Sequence, residues 1–135
     1  MRALLDANVL IAALLSRDGP PAQVVAKWLA GEFELVVSDQ LLAELEITLA
    51  RPKLRRRIDA GAVAAFLELL RSGLAEWVDD TAVAPIRQSS DPKDDYLIAA
   101  AATAHATLVS GDGHLLELAA QIPVMSPRAF LDSLD

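Results

Sequence analysis

Leu4-Leu5-Asp6-Ala7-Asn8-Val9-Leu10 decides how this chain is read, because it sets one carboxylate inside an apolar run from Ala3 to Leu15. Taking a charge out of water is costly unless the charge is paired, hydrated or held on a cation. Arg2 to Leu5 reads as a short strand and Val9 to Leu15 as a helix, which puts Asp6 at the carboxyl end of the strand. Open α/β sheets gather their ligands beyond those ends. The competing reading is a helix cap, since an aspartate ahead of a helix can accept a free amide.

Outward from this stretch the arrangement recurs. Leu108-Val109-Ser110-Gly111-Asp112 also runs from apolar residues onto an aspartate, and Gly111-Asp112-Gly113 reads equally well as an ordinary turn. Ser38 can cap a helix to about Ala50 that carries Glu44, and Asp91-Pro92 opens an alanine-rich helix that carries Asp94 and Asp95. Asp6, Glu44, Asp95 and Asp112 thus follow strands or open helices, where one acidic site for a hard cation such as magnesium is expected. Periodicity leaves choices open within it. Glu44 and Glu46 lie on opposite margins of the stripe Leu41, Leu42, Leu45 and Leu49, and helical phase does not separate Asp94 from Asp95.

The remaining segments alternate strand and helix, the pattern of a three-layer α/β domain with a mainly parallel sheet. Pro20-Pro21 opens a helix with Val24, Val25, Trp28 and Leu29 on its apolar stripe and Gly31 as its stop. Glu34 to Val37 reads as strand two. Pro52 interrupts the chain after Ala50, a helix from about Ala60 buries Val63, Phe66, Leu67 and Leu70, and Ala75 to Val78 reads as strand three. Gln88 to Lys93 is loop-like, Thr107 to Val109 makes strand four, and Pro123 to Met125 makes a fifth before a terminal helix. Residues 1–135 are expected to form a single domain, because 135 residues at 53% apolar content suffice for one core.

Composition excludes several classes. Without cysteine there is no disulfide framework or zinc-thiolate site, and a reducing cytoplasm fits. Leu4 to Leu15 is too short to span a bilayer and is broken by Asp6 and Asn8, so no membrane role is expected. A net charge of −7 argues against indiscriminate polyanion binding. Yet Arg51, Lys53, Arg55, Arg56 and Arg57 concentrate five of the twelve cations in one strip, which could contact RNA or be a solvated face. His105 and His114 lack metal-ligand spacing, no phosphate-binding glycine loop or nucleophile elbow is present, and Tyr96 reads as packing.

Taken together, Leu4 to Leu10, Ser38-Asp39-Gln40-Leu41-Leu42-Ala43-Glu44-Leu45, Asp91 to Ala101 and Leu108 to Asp112 resemble the PIN domain family, in its toxin-like branch from toxin-antitoxin systems. Val124 to Leu131 resembles that family's last strand and closing helix. The resemblance selects Asp6, Glu44, Asp95 and Asp112 as metal-holding and catalytic residues, with Asn8, Ser110 and Asp94 as supporting polar groups. It implies a parallel five-stranded sheet with strands one and four adjacent. It also implies a ribonuclease using one or two magnesium or manganese ions, with RNA as substrate, a homodimer and an antitoxin partner. A housekeeping RNA-processing nuclease and a non-catalytic RNA- or protein-binding module are the alternatives. A phosphorelay receiver wants paired acids after strand one, and a haloacid-dehalogenase-type phosphatase wants Asp-x-Asp where this chain has Asp6-Ala7-Asn8.

Overall fold

The computed structural model describes residues 1–79 and 95–135. Its element order is β1 (Arg2–Leu5), α1 (Ala7–Leu15), α2 (Pro20–Leu29), β2 (Glu34–Val37), α3 (Asp39–Leu49), α4 (Pro52–Arg55), α5 (Ala60–Arg71) and β3 (Glu76–Trp77), then α6 (Asp95–Ala104), β4 (Thr107–Val109), α7 (Gly113–Leu116), β5 (Val124–Met125) and α8 (Pro127–Leu134). The five strands form one sheet in the order β3-β2-β1-β4-β5, with every pairing parallel. Strands covered by helices on both faces need apolar side chains on both, so they read as continuous runs. Ala3, Leu4, Leu5, Leu35, Val36, Val37, Leu108 and Val109 are all buried.

β1 lies at the centre of the sheet, flanked by β2 on one side and β4 on the other. Chain order therefore reverses between β1 and β4, which makes the carboxyl ends of these two strands the topological switch point. Register fixes what meets there: Leu5 pairs with Val109, and the Asp6 N–H donates to the Val109 carbonyl at 3.1 Å. Asp6 and Ser110 are thereby brought to the same edge of the sheet.

The helices that frame this edge start on side-chain caps. Asp6, Ser38, Asp59, Asp112 and Ser126 each accept an N–H from the first turn of the helix they precede. Each such cap satisfies a donor the helix itself leaves open. Gly31, at φ 80°, ends α2 by placing the Glu32 N–H on the Lys27 carbonyl and its own N–H on the Trp28 carbonyl. His105 does the same for α6 at φ 54°, with Ala106 N–H on Ala101 and its own N–H on Ala102. A β-carbon in that conformation is strained, so this turn is held by its bonds and not by residue preference.

Leu97, Ile98, Ala99, Ala100, Ala101 and Ala104 of α6 are buried, and this helix packs directly against β1 and β4. Its alanines permit the close approach. On the other elements, α2 packs on α1 and α8, and α3 on α1 and α5. Phe33 and Phe130 meet edge to face with ring centroids 5.0 Å apart inside the same core. Among the described residues no helix is long and apolar enough to cross a membrane.

Candidate active site

Asp6 is 4% exposed, and its two oxygens have separate duties. Oδ1 accepts the Val9 N–H at 2.9 Å, capping α1, while Oδ2 accepts the hydroxyl of Ser110, itself fully buried. The Ser110 hydroxyl oxygen accepts the Asp112 N–H at 2.9 Å. One serine thus links both aspartates across the β1–β4 boundary. Asp6 does cap α1, and the same residue also meets the end of β4 through Ser110.

Burial pushes the Asp6 carboxyl above the ordinary carboxylate range; bonds from Ser110 and Val9 pull it down, and the charges of Asp112 and Glu44 push it up again. Both desolvation and like charge disfavour the ionised form. Asp6 therefore lies within the field of both Asp112 and Glu44. Asp112 is half-buried and caps α7 through the His114 N–H at 2.8 Å, so the turn suggested by Gly111-Asp112-Gly113 is the first turn of a short helix.

Glu44 projects from α3 and receives the phenol of Tyr96 from α6, immediately after Asp95. This contact reassigns Tyr96, which reads as packing in the sequence. The only hint was its place in a first helical turn, ahead of the residues that are buried. Asp95 is half-exposed at the start of α6. Asn8 is exposed and lines a depression of about 300 Å3 together with Gly111, Asp112 and Pro127. Asp94, with the Asp91-Pro92 helix start and the Gln88 to Lys93 loop, lies outside the described residues.

Asp6 meets the charges of Asp112 and Glu44, and Asp95 opens α6 next to Tyr96, the residue that reaches Glu44. Among the described residues no three carboxylate or imidazole side chains stand close enough to clasp a metal ion. The donor set still suits a hard cation, being made of carboxylate and hydroxyl oxygens around a buried aspartate whose charge is disfavoured. A cation beside Asp6 would relieve both causes of that disfavour.

The basic strip divides. Arg51 lines a groove of about 360 Å3 with Glu44 and Tyr96, whereas Arg55 lines a larger cavity, about 780 Å3, between α3 and α5. That larger cavity holds none of the four carboxylates; Leu49, Ile58, Val63 and Leu67 give it an apolar wall. Lys53, Arg56 and Arg57 are exposed around α4. Glu46, the residue that periodicity could not tell from Glu44, forms an ion pair with Arg71 of α5 on the far side of α3.

Comparison with known proteins bears on the same segments. The profile described as PIN domain matches residues 2–114, a span that holds Asp6, Glu44, Asp95 and Asp112. No curated protein matches the chain. Among solved structures, a chain of VapBC2 from Rickettsia felis, determined bound to a DNA fragment from their promoter, superposes with a TM-score of 0.58 at 18% identity, covering 93% of this chain and 98% of its own. PAE2754 from Pyrobaculum aerophilum superposes with a TM-score of 0.59 at 17% identity, covering 99% of this chain and 89% of its own. At such identities the likeness is one of fold.

Proposed function

This chain belongs to the PIN domain family, and from that premise we propose that it is a ribonuclease that hydrolyses RNA phosphodiesters with magnesium or manganese, acting as the toxin of a toxin-antitoxin pair. The observation that carries the reading is the buried Asp6, tied through Ser110 to Asp112 at the switch point, with Glu44 within its field. Asp6, Asp112, Asp95 and Glu44 would hold one or two ions. Magnesium commonly keeps several waters, which suits carboxylates gathered around a cleft and not into a cage. A bound cation supplies positive charge to the phosphodiester oxygens and a more acidic water.

The chain's own part is positional. Val9 N–H and Ser110 each hold one oxygen of Asp6. Ser110 also fixes the peptide that carries Asp112, and Tyr96 fixes the carboxylate of Glu44 at the far margin. The reaction proposed needs no nucleophilic side chain, because the attacking species is water, and the buried Ser110 hydroxyl is committed to Asp6. A homodimer and a small antitoxin follow from the toxin-like resemblance and belong to the same proposal.

A non-catalytic binding module is the second reading, favoured by the open spacing of the carboxylates. One experiment separates them. Purified chain is incubated with structured and single-stranded RNA in magnesium, in manganese and in chelator, beside Asp6→Asn. Cleavage that needs metal and is lost in Asp6→Asn supports the nuclease; binding without cleavage in any metal leaves the binding module.

A further inference from the structure

The groove between α3 and α6 runs from Glu44 and Tyr96 to groups for which the acidic pocket has no use. Gln40, Glu44, Ile47, Thr48 and Arg51 line one wall, and Tyr96 stands on the other. Steps of three and four residues put Gln40, Glu44, Ile47 and Thr48 on a single face of α3. Glu44 carries a charge that reaches Asp6. Arg51 lies just past the carboxyl end of α3, at the start of α4. No carboxylate among the described residues pairs with Arg51. Between them Ile47 is 67% exposed, an apolar side chain held in water beside a hydroxyl and an amide.

A cation, an exposed apolar contact and neutral hydrogen-bonding groups in one groove match the parts of a nucleotide strand. Phosphate takes the guanidinium, and a base takes the apolar and aromatic surface. We propose that this groove binds the single-stranded RNA segment on one side of the bond cut in the acidic pocket, with a phosphate at Arg51 and a base over Ile47. The proposal rests on the ribonuclease reading and deepens it. It also separates Arg51 from Arg55, which faces a different cavity beside Glu46, Glu68 and Arg71.

The test is fluorescence anisotropy of a labelled single-stranded RNA oligonucleotide with the full chain carrying Asp6→Asn, in manganese, across a salt series. Arg51→Gln is expected to weaken binding several-fold and to lower the salt slope by about 0.7, the share of one phosphate contact on a single strand. Arg51→Lys should recover part of the loss, and Ile47→Asp should weaken binding as strongly. Both residues are exposed, so neither change threatens the fold. In the chain with Asp6 intact, Arg51→Gln should raise KM for the oligonucleotide while leaving kcat, and leave a dinucleotide substrate unaffected.

Unchanged affinity and salt slope in both variants, in a chain that cleaves RNA, overturns the groove and spares the nuclease. Arg51-dependent binding in a chain that cleaves nothing spares the groove and overturns the nuclease. Loss of self-association or of protein-partner binding in Ile47→Asp, with RNA affinity intact, makes the groove a protein interface and rejects the proposal.

Discussion

Ser110→Ala removes one oxygen that serves both aspartates, and its effect follows from the bonds that oxygen makes. The Asp112 N–H loses its acceptor at 2.9 Å, and Asp6 Oδ2 loses a donor in a site where Ser110 is fully buried. A neutral hydrogen bond contributes about 1 kcal/mol net and one to a charged group about 1.5 to 3 kcal/mol, so the expected cost where Asp6 is ionised is about 2.5 to 4 kcal/mol. That is a large part of a typical domain's stability.

The cost should also depend on pH, with a definite sign. Asp6 already holds its proton more tightly in the folded chain than its ordinary value of 3.8, and Ser110 opposes that rise. A group of this kind makes the unfolded state bind fewer protons than the native one, so stability declines as pH rises from the unfolded value to the folded one. Losing Ser110 extends the decline to higher pH. The penalty of Ser110→Ala is therefore smallest in acid, where Asp6 is protonated in both chains, and grows above the folded value of the wild type. Urea unfolding in chelator, followed by the fluorescence of buried Trp28, measures it at a series of pH values. A penalty under about 0.5 kcal/mol that does not vary with pH would show that Ser110 neither holds Asp6 nor tunes it.

His105→Gly should stabilise the chain by about 1 kcal/mol, because glycine adopts φ 54° without a strained β-carbon, and thermal melting reads the gain. A loss in its place would mean the imidazole contributes more than the backbone strain costs. Replacing the exposed Arg56 and Arg57 together with alanine should flatten the salt dependence of RNA binding while leaving manganese affinity by calorimetry intact. Unchanged RNA binding together with loss of a protein partner would assign that strip to a protein interface.

What could be read from the sequence was set by how strongly local chemistry constrains each element. Arg2–Leu5, Glu34–Val37 and Thr107–Val109 stand as read, because a strand buried on both faces needs an unbroken apolar run. Gly31 announced the end of α2, whereas His105 ends α6 in the same conformation without announcing it, since histidine carries no such preference. Strand three shrank from Ala75–Val78 to Glu76–Trp77 at the sheet edge, where fewer contacts define its limits. The short α7 escaped notice because four residues are too few to show a period. In the site, the resemblance chose Glu44 over Glu46, and the fold supplies the physical difference: Tyr96 of α6 faces one margin of α3 and Arg71 of α5 the other. A single helix's periodicity cannot contain that information. Nor could it show that the basic strip is split, because the break at Pro52 turns Arg51 and Arg55 toward different cavities.

The bond between Ser110 and Asp6 spans 104 residues, and this has a consequence for the order in which the molecule comes into being. A ribosome releases the amino end first. Asp6 and Glu44 emerge early, but β1 has no neighbour on its β4 side, and Asp6 has no serine, until residues beyond Val109 have been made. Pairings this distant in the chain form late because they must close a long loop first. The junction that joins Asp6 to Ser110 is thus assembled only after most of the chain has been made, and until then Asp6 and Glu44 belong to a sheet that lacks its β4 side.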